Sequence, residues 1–352
     1  MKKILAFVLA AVMVLGMVGC GAKEEAPAAK EETKTEAPAA KEEPKKEEKV
    51  EPITFKVAYS ETEDSLFGQI MNEAYATITE KTNGRLVFEI FPANQLGSIT
   101  DMLEQQRSGA PMICAMGFDN LGDIVKDFSP ASFPYTFNDL YEIQALAKSD
   151  WIANIEEQLV AQDIKPICYG CIGYRHFIGT FEINSAEDCK GHIMRMGPSG
   201  AAQGFITVMG GTPTTTTWAD NYSLLQTGVI ESCEAPLNLL LSSSLNEVCD
   251  YLALSGHFVN PFSFTMHPDY WNQMTEEEQK IVKETMAEAC VKLADEVVAN
   301  EENFIQQFKD LGVTVTEPDK STFAAVVPAL YELLDLDPGI YDDIRAAIEE
   351  NQ

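Results

Sequence analysis

The chain has 352 residues, with 25 basic against 55 acidic side chains and a net charge of −30 at pH 7. The lysines and glutamates of residues 1–50 are equal in number, so the whole imbalance falls on the rest of the chain. A field of that sign argues against nucleic acid and against an anionic membrane surface as partners. The length beyond Cys20 exceeds one small core and suits two lobes of roughly 100–200 residues each.

Lys2-Lys3 followed by the apolar run 4–18 reads as an export signal. The run is short against the roughly 20 residues a membrane span needs. It ends in Met17-Val18-Gly19-Cys20, which resembles the bacterial lipobox, a motif that implies lipidation of Cys20. Residues 21–50 are almost all Ala, Glu, Lys, Pro and Thr, a composition that cannot bury enough surface to fold. They read as a tether with a reach on the order of 30 Å. Tether and lipid together predict an extracytoplasmic domain anchored to the cell membrane.

The patterned region opens with a strand over 53–59, a helix over 66–82 stopped at Asn83-Gly84, and a strand over 86–91. A turn over 92–97 leads to a helix over 98–107 and a buried strand over 112–116. This β-α-β-α order signals an α/β lobe with a mainly parallel sheet. Helices recur over 140–148 and 151–162, and a strand over 164–172 restarts the pattern. A strand over 191–196 then carries Arg195 between two methionines, and Pro198 is placed to open the helix 199–209. Thr217 is placed to cap a helix over 218–225, and 229–233 reads as another strand. Thr275 and Glu278 form a capping box. Ile281, Val282, Met286, Leu293, Val297, Phe304 and Phe308 then recur at helical spacing. A helix from 275 to 309 would be roughly 50 Å long, more than a small lobe, and should lie across two. A short strand over 313–316 and a helical segment from about 321 close the chain.

Seven cysteines remain after Cys20, an odd number, so at least one thiol is free or pairs between molecules. Cys168 and Cys171 form a CxxC, but on a strand residues three apart point to opposite faces, which suits neither a bridge nor a shared metal. They read as buried small hydrophobes. The four histidines show no metal-ligand spacing, and GxGxxG, P-loop, HExxH and GxSxG signatures are missing, so neither a cofactor nor catalysis is expected. Arginine is scarce, only Arg85, Arg107, Arg175, Arg195 and Arg345. In so acidic a domain an anion site needs local, partly buried arginines, and Arg175 and Arg195 alone have strand-like, apolar surroundings. A guanidinium fork grips a carboxylate through two parallel charge-assisted bonds.

Four stretches in order resemble the solute receptors of tripartite ATP-independent periplasmic (TRAP) transporters, the dicarboxylate-binding receptor family. They are Thr82-Asn83-Gly84-Arg85 with 91–97 (FPANQLG), Gly173-Tyr174-Arg175-His176-Phe177, Asp188 through Met196, and 222–236 (YSLLQTGVIESCEAP). The likeness runs from about Thr54 to the end. It implies an α/β, two-lobed periplasmic-binding-protein-like fold with a ligand cleft between lobes and a long helix spanning both. One lobe would comprise 51–172 and 261–298, the other 173–260 and 299–352. By the family pattern Arg195 is the carboxylate clamp and Arg175 the second arginine lining the cleft. Trp218 packs on the ligand, and Glu234 and His257 steady the Arg175 position. Tyr59, Glu61 and Phe118 lie near cleft-lining positions of the first lobe.

Ala235 stands where the family usually carries Asn, and Met196-Gly197-Pro198 where many members read Val-Pro-Asn. With a first-lobe set unlike that of sialic-acid receptors, these departures point to a smaller or more apolar acid. The implied function is capture of a small mono- or dicarboxylate and its delivery to TRAP membrane subunits. The alternatives are a ligand-sensing receptor of a signalling system with the same fold, or a carboxylate-handling enzyme.

Overall fold

A computed structural model of the chain describes residues 51–352. The export signal, Cys20 and the tether lie outside the described residues. Nine strands form one continuous sheet: β1 (Ile53–Ala58), β2 (Leu86–Phe91), β3 (Met112–Gly117), β4 (Lys165–Gly179), β5 (Ile193–Met196), β6 (Thr212–Thr215), β7 (Ser232–Pro236), β8 (Tyr251–Met266) and β9 (Thr314–Thr316). Their order is β2-β1-β3-β8-β4-β7-β5-β6, with β9 on β8. One end is parallel (β2, β1, β3) and so is the other (β7, β5, β6), as the β-α-β patterning requires. The centre is the antiparallel pair β4 and β8, 15 and 16 residues long.

These two central strands and one helix tie the halves together. The first hydrophobic cluster runs from Phe55 to Ile172 and takes in Val259–Met266 and Val282–Val297. Phe177, Met194, Phe205 and Leu330 belong to a second cluster, and Ile178, Leu240, Leu252 and Phe308 to a third. Along β4, therefore, the chain leaves one core at Ile172 and enters the others at Phe177. The β4–β8 register shifts between Cys171 and Tyr174 and again between Arg175 and Phe177. Such irregularities bend a strand and re-aim its side chains. Gly173 sits within the first of them at φ 129°, and a Cβ there would stand 3.0 Å from Val297 Cγ1 on the long helix.

That helix, Glu276–Asp310, is 35 residues long. The Thr275 hydroxyl accepts from Glu278 N at 3.2 Å and the Glu278 carboxylate accepts from Thr275 N at 2.8 Å, closing the expected capping box. Its far end is a Schellman motif, with Val313 N donating to Phe308 O and Gly312 N, at φ 89°, to Lys309 O. Val282 to Val297 serve the first core and Phe308 the third, so the helix spans both lobes.

Several boundaries differ from the sequence reading. Ser199, not Pro198, opens the helix Gly200–Val208, because its hydroxyl accepts from Ala202 N and leaves Pro198 outside. Trp218–Asp220 is a 3₁₀ turn ahead of the helix Asn221–Gln226, and the Thr217 hydroxyl turns to the Asp220 carboxylate at 2.6 Å. The strand expected over 229–233 lies at Ser232–Pro236, which brings Glu234 inside it. The closing helix Gly339–Glu349 returns to the first core through Ile344, Ala347 and Ile348, and Arg345 pairs with Glu142 there.

Candidate functional site

A cavity of about 650 Å³ opens between the halves, where the C-terminal ends of β1, β3 and β5 meet the middle of β4 and β8. Strand C-termini in such sheets are the common place for ligands. Arg175, Arg195, Trp218, Glu234 and Glu61 line it.

Arg195 is the penultimate residue of β5, with Met194 and Met196 on either side of it belonging to the second core, the alternation a strand imposes. It is only 7 % exposed. One guanidinium nitrogen donates to Thr216 O at 2.8 Å, and the guanidinium carbon lies 5.4 Å from the centre of the Trp218 ring. Nε is buried with no partner. Burial pulls its pKa down, partly opposed by Glu234. Among the described residues no carboxylate stands within ion-pair distance of Arg195. Trp218 is held by its indole N–H, which donates to Ser243 Oγ at 3.0 Å.

Arg175 is the opposite case. Nε and one terminal nitrogen grip the Glu234 carboxylate, the same nitrogen donates to Glu234 O at 3.1 Å, and the other donates to Asn260 Oδ1 at 3.0 Å. Glu234 is 1 % exposed. Burial alone would raise its pKa, but the charge and hydrogen bonds of Arg175 bring it down to about 2. Behind it stands His257, with Nε2 3.6 Å from Glu234 and Nδ1 2.7 Å from Ser255 Oγ. Phe177 stacks on the His257 ring at 4.2 Å. Burial lowers the His257 pKa, partly opposed by the hydrogen bond and charge of Glu234. His257 supports the pair from the core and does not line the cavity.

The first-lobe wall is built by the loop after β1 and by the FPANQLG turn. Ala93 and Asn94 take positive φ, Ala93 N donates to Glu61 O at 2.8 Å, and Ser60 Oγ donates to Asn94 Oδ1 at 3.0 Å. Glu61 is 8 % exposed, and burial lifts its carboxyl to about 7 despite nearby backbone N–H groups and Arg175. Two expected residues do not face the cavity. Tyr59 is fully buried, its hydroxyl on Asn72 at 3.0 Å and its ring against Phe67. Phe118 packs on Phe128 at 4.6 Å and on Tyr169. Gly117 reaches the cavity, and the chain then turns Phe118 into the core as a short helix begins.

Asp119, Asn120, Asn94 and Asn260 are lining residues that the sequence reading missed. Asn260 had a signal, a lone amide inside the apolar run HFVNPFSF. Asp119-Asn120 had another, a polar pair just past the C-terminal end of the buried strand β3. The first-lobe wall is accordingly more polar than anticipated.

All seven cysteines of the described residues are buried and free. Cys171 Sγ faces Leu140 O at 3.5 Å while Cys168 faces Cys290 on the long helix, on opposite sides of β4. Among the described residues no three His, Cys, Asp or Glu side chains cluster to hold a metal.

A two-lobed α/β molecule with a cleft at its strand ends, its halves joined by two long strands and one long helix, is a periplasmic-binding-protein fold. Residues 57–335 match the bacterial extracellular solute-binding proteins, family 7 (DctP), and the chain belongs to that family. It is similar to the sialic acid-binding periplasmic protein SiaP of Vibrio cholerae, 23 % identical over 75 % of this chain and 82 % of that one. The C4-dicarboxylate-binding periplasmic protein DctP of Rhodobacter capsulatus is 22 % identical over 80 % and 86 %. Among solved structures, a TRAP periplasmic solute-binding protein of Actinobacillus succinogenes with bound L-galactonate superposes with a TM-score of 0.80. It is 29 % identical and covers 84 % of this chain and 99 % of its own. The chain is thus an extracytoplasmic solute-binding receptor of the TRAP class and not an enzyme, its relatives being transport receptors.

Proposed function

We propose that the receptor captures a small organic acid by clamping its carboxylate on Arg195, with Arg175 lining the same cleft, and hands it to TRAP membrane subunits. The observation that carries this reading is a buried guanidinium that, among the described residues, has no carboxylate within ion-pair distance and no partner for its Nε, at the wall of a 650 Å³ cavity. A buried charge in that state has an unmet electrostatic demand, and a carboxylate meets it with two parallel bonds. Trp218 stacks beneath the guanidinium and offers the ligand an apolar face. Glu234 and His257 hold Arg175 in register, so that its role is positional rather than that of a free cation.

The lobes, 51–172 with 261–298 and the closing helix against 173–260 with 299–338, close about the shifted stretch of β4 and β8 and along the long helix. Binding energy drives that hinge motion, and the closed faces present the surface that membrane subunits read. Lipidated Cys20 and the tether 21–50 hold the receptor at the cell membrane.

The test is mass spectrometry of small molecules retained by the full chain and by Arg195→Ala. The expected result is a carboxylic acid on the wild type that the variant does not retain. An unchanged yield of the same acid on the variant overturns the clamp.

A further inference from the structure

We infer that this receptor selects singly charged acids, with Glu61 as the residue that turns away dicarboxylates and accepts hydrogen bonds from hydroxyl or ammonium groups at the far end of the ligand. The inference rests on the reading of Arg195 as carboxylate clamp.

It follows from the charges around the cavity. Arg175 is neutralised by Glu234, which it grips through two nitrogens. Arg195 alone has a charge to spare. Among the described residues the lining contains no lysine, no histidine and no third arginine, so a second carboxylate on the ligand finds no cation there to meet it. What it finds is Glu61 and Asp119. Glu61 is more than nine-tenths buried, and no lysine or arginine stands within ion-pair distance of its carboxylate among the described residues. Its backbone is fixed on the FPANQLG turn through the Ala93 N–H, so the side chain cannot retreat with its loop.

A second carboxylate beside Glu61 meets its charge or forces it to take up a proton, and at about pH 8 that uptake, by a carboxyl at about 7, sets the penalty at about tenfold. A hydroxyl or ammonium at the same place relieves an acceptor that is buried and has no side-chain donor. The two remaining amides on that wall, Asn94 and Asn120, can donate or accept and so do not restore a preference for a second anion.

The full chain is titrated at about pH 8, where Glu61 is ionised, with matched straight-chain acids of a size that a cavity of 650 Å³ admits. Each length is supplied as the dicarboxylate, the ω-hydroxy monocarboxylate and the ω-amino monocarboxylate, and binding is read by calorimetry. The hydroxy or amino member of at least one length binds about tenfold more tightly than its dicarboxylate partner. Glu61→Gln brings the dicarboxylate to within about threefold of the monoacid, and Asp119→Asn narrows the gap less, which keeps the test open should the first variant fold poorly. A dicarboxylate that binds the wild type as tightly as its monoacid partner overturns the inference and leaves the receptor reading standing. A gap that persists in Glu61→Gln assigns the discrimination elsewhere and also overturns it. If no acid binds the wild type, or if Arg195→Ala binds them unchanged, the clamp itself is refuted and this inference with it.

Discussion

The two arginines of the cleft share a residue type, a sheet and a cavity, yet they have different physical states. Arg175 is held on three sides by Glu234 and Asn260, and its partner is backed by a buried histidine under a phenylalanine ring. Arg195 has one backbone carbonyl and a tryptophan face. A buried ion pair whose bonds are satisfied is an internal support, whereas a buried cation without an anion is a binding group awaiting one. The comparison separates residues that shape a site from residues that bind, even where both line it.

The contrast predicts opposite mutational signatures. Glu234→Ala leaves a largely buried guanidinium without its anion, so the largest expected effect is a loss of about 3–5 kcal/mol of stability, read by denaturant unfolding. Arg195→Ala should cost about 2–5 kcal/mol of ligand affinity by calorimetry while leaving the unliganded protein as stable as the wild type, because a desolvated, unneutralised charge is removed. A large loss of unliganded stability in Arg195→Ala, equal to that of Glu234→Ala, would erase the distinction.

Acidity sharpens the same comparison through two carboxyls of opposite shift. Glu234 is held near 2 in the folded protein, so its contribution is present above the unfolded carboxyl value of about 4.3 and is lost as pH falls from there toward 2. Glu61 stands near 7 through burial, so its ionisation costs stability progressively as pH rises from about 4.3 to 7. Glu61→Gln should therefore raise the Tm relative to wild type at about pH 8 and not at about pH 4. A difference of the same size at both values would show that the carboxyl is not desolvated. The smallest effect belongs to Trp218→Ala, which should weaken ligand binding by about 0.5–2 kcal/mol through loss of the ring beneath Arg195.

What was legible in the sequence was chiefly local. The capping box at Thr275, the helical spacing to Phe308 and the strand Leu86–Phe91 needed only near neighbours. β8 was not legible as one 16-residue strand, because its central register is set by pairing with β4, some eighty residues away. Pro261 inside it reads as a strand breaker and is tolerated where the β4–β8 register shifts after Cys171. In the site, Arg195, Arg175, Trp218, Glu234 and Glu61 line one cavity. Tyr59 and Phe118 do not, since closeness to a strand end does not say which way a side chain turns. The neutralisation of Arg175 by Glu234, which decides the charge of the whole cleft, depends on β4 and β7 lying side by side.

The most direct test of the account is a crystal structure of the receptor with its retained ligand. It should place a ligand carboxylate on the Arg195 fork with two N–H···O bonds of about 2.7–2.9 Å, Arg175 still paired with Glu234. A ligand seated in the cleft with its carboxylate elsewhere, and Arg195 still bonded to Thr216 alone, would contradict it.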